Sequence, residues 1–307
     1  MLIYSTPSFG LHETPRGHAE RPDRYRAVER SLKTPAFDHI ERRDPPRATS
    51  EAIDRVHGSA YREMIEAAAP DAGLTQLDPD TFMGPASLDA ALRAAGGGVA
   101  AVDAIIAGEA TAAFIAARPP GHHAEPERAM GFCVFNNAVI AARHAQADHG
   151  LEKIAVVDFD VHHGNGTEAA FWSDEKAFFA SSHEWPQYPG TGKSDDQGAH
   201  NNIYNVPLAH GASSLTFRRA WGDVILPALQ AFCPEFIIIS AGFDAHRADP
   251  LGGLDLDEDD FTWVTHAILE VATATCGGRV VSFLEGGYDL DALAASTASH
   301  VRALDDA

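Results

Sequence analysis

The stretch Ile154-Ala155-Val156-Val157-Asp158-Phe159-Asp160-Val161-His162-His163-Gly164-Asn165-Gly166-Thr167 constrains this chain more than any other. It begins as four apolar residues, the pattern of a strand buried on both faces. It then delivers two carboxylates and two imidazoles where that strand should end. Side chains along a strand alternate with period two. Asp158, Asp160 and His162 therefore share a face if the extended backbone continues that far. Hard and borderline ligands on one edge, followed by a Gly-Asn-Gly turn, predict a divalent metal site. A hydrogen-bonded polar cluster at a strand end is the plainer alternative.

The rest of the chain supplies partners for that stretch. Apolar runs at Ala112–Ala116, Ala177–Ala180, Phe236–Ile239 and Val280–Leu284 also read as buried strands. Helical patterns at Asn136–His149, Gly166–Trp172, Ser213–Phe232 and Asp259–Cys276 lie between them. Strand and helix in alternation imply a parallel, doubly wound α/β sheet with helices on both faces. Ligands bind such sheets beyond the carboxyl ends of the strands. Each strand ends in residues capable of chemistry: Arg118 to His123, Ser181-Ser182-His183, Ser240 to His246, and Glu285-Gly286-Gly287-Tyr288.

The N-terminal third is less periodic. Leu2–Tyr4 reads as a short strand and Tyr25–Leu32 as a short helix. The loop from Ser8 to Arg24 carries His12, His18, Glu20, Arg21 and Arg24, and is either a solvated rim or a wall of the site mouth. Ser50–Val56, with Ser50 as cap, and Tyr61–Ala69 read as helices. Leu77–Pro85 reads as a loop. Ser87–Ala107 reads as a helix capped by Ser87 and ended by Gly108, with Gly96-Gly97-Gly98 requiring close packing against another element. No internal repeat or low-complexity linker divides the sequence, so residues 1–307 are expected to form one domain.

Net charge is -21, from 44 acidic and 23 basic residues. Such a surface repels nucleic acid and anionic membranes and favours cationic ligands. The three cysteines form no CxxC pair and no disulfide framework is expected. Cys133 reads as wall or core rather than nucleophile. The first residues lack a basic region followed by an apolar run, so no secretory leader is expected and the expected location is the cytoplasm. A homo-oligomer is compatible with the sequence.

Asp160, His162 and Asp244 form a natural ligand set of one imidazole and two carboxylates. Three protein ligands leave a position for water, as catalytic zinc requires, although ferrous iron suits the same donors. His122 and His123 arrive from another strand and suit proton transfer. Tyr288 suits stabilisation of an oxyanion. These parts fit hydrolysis of an amide or ester carbonyl by metal-activated water. There is no Gly-x-Ser-x-Gly elbow and no phosphate-cradling Gly-x-x-x-x-Gly-Lys-Ser/Thr loop. His57, His163 and His183 receive no catalytic role.

Pro120-Gly121-His122-His123-Ala124, Gly131-Phe132-Cys133, Asp158 to Thr167, Ser240 to Asp244 and Glu285 to Tyr288 together resemble the zinc-dependent histone deacetylase family. Asn165 and Gly242-Phe243-Asp244 resemble its class II branch, which includes bacterial deacetylase-like amidohydrolases. The resemblance runs from the His18-Ala19-Glu20-Arg21-Pro22 loop to Tyr288. It implies an arginase/deacetylase fold and hydrolysis of an acylated amine. It implies zinc on Asp160, His162 and Asp244, and His123 as general base and acid. His122 is implied as the electrostatic histidine, with Asp158 as partner of His122 and Asn165 as partner of His123. Tyr288 is implied as the carbonyl polariser. Gly131, Phe132 and Tyr188 match the tunnel wall, where the family usually has Phe at the last position. Asp80 matches a rim aspartate, and Asp158 and Ser181 match a potassium site.

The same resemblance frames the alternatives. It leaves acetyl-lysine proteins, acetylated polyamines and small xenobiotic amides open as substrates. Leu251 follows Asp249-Pro250 where polyamine-preferring relatives carry an acidic gatekeeper. Arginases share the fold but use two manganese ions, and the ligands for the second are replaced here by Gly164 and His246. A catalytically inactive acyl-binding module should have lost His123, Tyr288 or a zinc ligand, and none is lost.

Overall fold

Apolar runs of four to six residues, rich in Ile, Val, Phe and Ala, can be covered on both faces only if helices flank the sheet on each side. A computed structural model, describing residues 1–306, has that arrangement. Its strands are β1 (Leu2–Tyr4), β2 (Glu41–Arg43), β3 (Thr75–Asp78), β4 (Thr81–Met83), β5 (Ala112–Ile115), β6 (Ile154–Asp158), β7 (Ala177–Glu184), β8 (Ile203–Leu208), β9 (Phe236–Ala241) and β10 (Val280–Leu284). Its helices are α1 (Pro22–Leu32), α2 (Ser50–Ala68), α3 (Ser87–Ile106), α4 (Asn137–His149), α5 (Asn165–Phe171), α6 (Ser214–Ala220), α7 (Leu226–Phe232), α8 (Glu258–Cys276) and α9 (Leu290–Asp305).

Eight strands form one sheet in the order β2-β1-β5-β10-β9-β6-β7-β8, every pair parallel. Strand parity sorts the core. Ala155, Val157, Ile237 and Ile239 face α1, α8 and α9 together with Phe159, Phe243 and Phe261. Ile154, Val156, Phe236 and Ile238 face α3 and α4. Because all strands run one way, β5, β6, β7, β9 and β10 present their carboxyl ends along one edge. Among the described residues no helix is long and apolar enough to cross a membrane.

Several expectations change. Residues 77–85 are not a featureless loop, because β3 and β4 pair as an antiparallel hairpin that carries Asp80 at its turn. The two expected helices after Ser50 run end to end as α2 and are divided at Gly58, whose φ 69° and ψ 156° are not helical. Its cap is Thr49, whose side chain accepts from the Ala52 amide, not Ser50. Ser87 is the first residue of α3 rather than its cap, and its hydroxyl bonds instead to His12 Nδ1 and the Gly84 amide. The expected helix over 213–232 is α6 and α7 joined by a π-helical turn, Trp221–Ile225, just before Pro227, which cannot donate a helical bond. β2, β8 and α9 have no uninterrupted apolar run to signal them.

The glycine run in α3 packs against other elements as its composition requires. A Cβ on Gly96 would lie 2.1 Å from the Pro46 carbonyl oxygen, and one on Gly98 would lie 2.2 Å from Phe283 Cζ. Alanine is worth about 1 kcal/mol more than glycine in an open helix. Here the clash at Gly96 is with backbone, which cannot rotate away. Gly96→Ala is therefore expected to destabilise the fold by about 1–3 kcal/mol in denaturant titration. A stabilised variant would mean that α3 does not approach residues 46–48 this closely.

Candidate active site

β6 ends at Asp158, and hydrogen bonds rather than strand geometry arrange residues 159–162. Asp158 Oδ1 accepts from the Asp160 amide at 3.0 Å, and Asp160 Oδ1 accepts from the His162 amide at 2.9 Å. Phe159 and Val161 are buried in the core, so the polar residues between them turn toward the sheet edge. Asp244, just beyond β9, accepts from the Val161 amide at 2.9 Å, and Asp160 Oδ2 accepts from the Gly286 amide at 2.8 Å. The result is a buried cluster in which Asp160 Oδ1 and Asp244 Oδ2 each lie 3.1 Å from His162 Nδ1. One ligand atom from each of the three residues falls within 4.8 Å of the others.

Glycine keeps this cradle open. A Cβ on Gly242 would fall 2.0 Å from Asp160 Oδ2, and one on Gly286 would fall 1.9 Å from Asp244 Oδ2. Burial together with Asp160 pushes the Asp244 carboxyl up to about 7. Burial disfavours charge on His162, but Asp160 and Asp244 outweigh it and hold the ring up to about 10. Two buried carboxylates and one imidazole converging on a single point are a donor set that suits zinc, or ferrous iron, with a position to spare.

His122 and His123 follow β5 on a turn held by Glu285, whose Oε2 accepts from the Gly121 and His122 amides at 2.6 and 3.2 Å. Their rings lie 4.0 Å apart but have different partners. His122 Nδ1 is 2.9 Å from Asp158 Oδ2, and His123 Nδ1 is 2.8 Å from Asn165 Oδ1. The Asn165 amide is oriented by its Nδ2, which donates to Glu125 Oε1 at 2.8 Å. Its oxygen can only accept, so His123 carries its proton on Nδ1 and keeps a lone pair on Nε2. Burial disfavours charge on both rings. At His122, Asp160 and Asp158 overcome it and hold the ring well above the usual value. At His123, burial is reinforced by His122 and His162, which hold the ring well below it.

Tyr288 is set by the backbone before it. Gly287 has φ 123°, and the Tyr288 and Asp289 amides both donate to Asp249 Oδ2, at 2.6 and 3.2 Å. The Arg24 guanidinium lies 4.9 Å from the tyrosine ring centre and donates to the carbonyls of Gly287 and Glu285 at 2.6 and 2.5 Å. Glu20 bonds both Arg24 and Arg118, and all three are fully buried. Burial keeps the Tyr288 phenol well above its usual value, with Arg24 opposing only in part.

A cavity of about 200 Å³ runs to this floor from the surface. Gly131, Phe132, Tyr188, Gln187, Leu251 and Asp80 line it, with His123, His162 and Tyr288 at the bottom. Asp80 Oδ1 accepts from the Gly131 amide, and Thr81 Oγ1 accepts from the Phe132 amide. Gly131 has φ 57°, and a Cβ there would meet His123 Cδ2 at 2.4 Å. A wider groove of about 660 Å³ along α1 brings together no comparable set of reacting groups.

Of the residues expected from sequence, His122, Asp158 and Asn165 lie behind the cavity and bond to its groups or to one another, whereas the Ser181 side chain does not. It pairs with Asp158 across β6 and β7, but its hydroxyl bonds to His183 Nδ1 at 2.9 Å. The loop before α1 proves to be a wall: His18 packs 4.8 Å from the Phe132 ring, while Glu20 and Arg24 lie beneath Tyr288 rather than in solvent. Same-side placement of Asp158, Asp160 and His162 by strand parity does not survive, because β6 stops at Asp158. His163 is held by Thr191 and Glu168, and Cys133 is buried with its thiol against the Gly131 carbonyl. Arg24, Asp249 and Gln187 have roles here that sequence reasoning does not assign, since nothing in local sequence marks an arginine as fully buried.

The family model described as Histone deacetylase domain matches residues 18–304. The chain is 41% identical, over 323 aligned residues, to an Arabidopsis thaliana protein named histone deacetylase 14, chloroplastic, covering 99% of this chain and 76% of that one. It is 40% identical over 278 residues to a Pseudomonas aeruginosa protein named histone deacetylase-like amidohydrolase, covering 89% and 73%. It superposes on the crystal structure of the HDA15 HD domain with a TM-score of 0.93 at 35% identity, over 99% of this chain and 88% of the other. The fold is the arginase/deacetylase fold.

A divalent ion that binds only the folded cluster stabilises the protein by mass action. Removing metal with a chelator is expected to lower Tm by several degrees, and restoring zinc to reverse the loss. Asp244→Asn should reduce this zinc-dependent shift. A Tm indifferent to chelator and zinc in the unaltered protein would contradict the cluster as a metal site.

Proposed function

The chain belongs to the histone deacetylase family, and on that premise we propose that it is a zinc-dependent amidohydrolase removing acetyl or other short acyl groups from amines such as acetyl-lysine. One observation carries the assignment of residues. His123, held toward its neutral form, and the protonated Tyr288 phenol meet at the floor of one narrow cavity beside a three-residue ligand set, with the His122 ring, held toward its cationic form, 4.0 Å from that of His123.

Asp160, His162 and Asp244 hold the zinc. When bound, the ion would lower the pKa of its water towards about 7 and polarise a carbonyl oxygen. His123 Nε2, with its lone pair free, takes a proton from the attacking water and returns it to the leaving amine. His122, kept cationic by Asp158 and Asp160, offsets negative charge developing on the reacting carbon's oxygens. Tyr288 keeps its proton and donates it as a hydrogen bond to the carbonyl oxygen as that oxygen gains charge. Asn165 fixes the tautomer of His123, and Asp158 does the same for His122.

Phe132 and Tyr188 both line the cavity, whose apolar lining Leu251 and Gly131 complete, and this lining suits an extended aliphatic chain. Asp80, at the mouth, accepts from a substrate backbone amide. A lysine-bearing substrate also suits the -21 net charge. Asp158 and Ser181 contribute to a structural potassium site in this reading, and residues 1–307 act as one catalytic domain built on the single eight-stranded sheet.

A fluorogenic acetyl-lysine peptide tests the reading. Turnover is expected from the zinc-loaded protein and is expected to be blocked by a hydroxamate or a chelator. His123→Ala and Tyr288→Phe should keep stoichiometric zinc yet lose about 10²–10³-fold or more in kcat. Wild-type turnover by either variant would overturn the role given to that residue. Zinc-loaded protein that fails on acetyl-lysine peptide but hydrolyses acetylated putrescine or a simple anilide would move the substrate class, not the chemistry.

A further inference from the structure

A second cluster of ligating side chains lies on α3 and α4, away from the first. Asp103 Oδ1 sits 2.6 Å from His144 Nε2 and 2.7 Å from His149 Nε2. One ligand atom from each residue falls within 4.8 Å of the others. His144 is buried, with its side chain 9% exposed, while Asp103 and His149 open the cluster to solvent.

The unusual feature is the other nitrogen of His144. Its Nδ1 lies 2.6 Å from Asp148 Oδ2, and Arg55 holds that carboxylate in a two-pronged grip at 2.9 and 2.9 Å. A neutral imidazole has one donor and one acceptor nitrogen. The ring thus has a carboxylate oxygen 2.6 Å from each nitrogen and, when neutral, can donate to only one of them, so a lone pair faces the other carboxylate. That contact is repulsive unless a positive charge stands between them. A carboxylate on the far nitrogen of an imidazole is also the usual outer partner of a metal-ligating histidine, fixing its tautomer and orientation.

We propose that Asp103, His144 and His149 form a second metal site, for a divalent transition ion of the zinc class. Two imidazoles and one carboxylate suit zinc, copper or nickel better than calcium or magnesium. Ligand bonds of about 2.0–2.2 Å in tetrahedral geometry need the ligand atoms about 3.3–3.6 Å apart. The cluster must therefore open by about 0.6–1.0 Å, which the half-exposed Asp103 side chain can provide. A water completes the coordination.

The site ties the last turns of α3 and α4 together. These turns feed the starts of β5 and β6, at the sheet edge opposite the cavity. The ion is therefore a cross-link between helices and takes no part in hydrolysis. The competing state is a protonated His144 bridging Asp103 and Asp148 with no metal at all.

Zinc titration of chelator-treated full-length protein, by calorimetry and by metal analysis after dialysis, separates the two. The unaltered protein is expected to bind two zinc ions, and His149→Ala and Asp103→Asn one each, with deacetylase turnover unchanged. Asp148→Ala should keep the second ion but bind it about 10–100-fold more weakly. Asp244→Ala, which damages only the first cluster, should still bind one ion, and Asp244→Ala with His149→Ala none. If His149→Ala and Asp103→Asn bind as many ions as the unaltered protein, with the same affinities, the proposal is overturned. That holds whether the shared number is one or two, and circular dichroism of these two surface variants guards against misfolding.

Discussion

Everything at the sheet edge depends on one constraint: Asp158, Asp160 and Asp244 are carboxylates with no exposure to solvent. Moving a single carboxylate from water into protein interior costs several kcal/mol unless its oxygens are satisfied. The fold meets this by surrounding the group with donors. Backbone amides of Asp160, Val161, His162 and Gly286 all point into the cluster, and His122 and His162 bring positive charge. Such amides are available only where strands have ended, because within a strand they are committed to the ladder. The parallel sheet places five such ends side by side, and so makes a buried anionic cluster tolerable. A divalent ion held by the cluster would complete the neutralisation that hydrogen bonds begin.

A second layer fixes the groups that face the cavity. Glu20 neutralises both Arg24 and Arg118 in the interior, and Arg24 in turn grips the carbonyls on either side of Gly286. Glu285 holds the turn that carries the histidine pair, and Asp249 holds the amide of Tyr288. These are hydrogen bonds to backbone rather than to reacting atoms. They convert a loop, which is ordinarily mobile, into a fixed frame for His122, His123 and Tyr288. Removing one partner of such a buried pair leaves an uncompensated charge, which is far more damaging than the pair is stabilising.

The central strands and the chemistry at their ends are legible in the sequence because both are local. Ile154–Val157 is apolar without interruption, and Asp160, His162 and Asp244 are ligand types at the ends of such runs. The edge strands are not legible. β2 reads Glu41-Arg42-Arg43 and β8 contains Asn205 and Pro207, so pairing with a neighbour, not composition, makes them strands. The hairpin carrying Asp80 escapes a sequence reading for the same reason. Arg24 reads as a loop residue, since burial of an arginine beneath a tyrosine is a property of tertiary contact. The Asp103, His144 and His149 cluster has no sequence signal either: His144 and His149 are five residues apart, off the four-residue spacing that puts two histidines on one helical face.

The histidine pair shows why partner identity matters more than position. His122 and His123 are adjacent, equally buried and 4.0 Å apart. Their chemistry differs because Asp158 is charged and Asn165 is not. Two cations at that separation would repel strongly in a medium of low dielectric, so at most one ring can carry a proton comfortably. The charged partner assigns that proton to His122. The amide partner orients His123 without pulling a second proton onto it. His123 is thereby left neutral, correctly tautomerised and facing the cavity, while its neighbour supplies fixed positive charge. An aspartate in place of Asn165 would weaken this division, since both rings would then have a carboxylate to favour the cation. In the proposed mechanism, the asymmetry between acid and amide at these two positions is what would make one of two identical side chains a base and the other an electrostatic anchor.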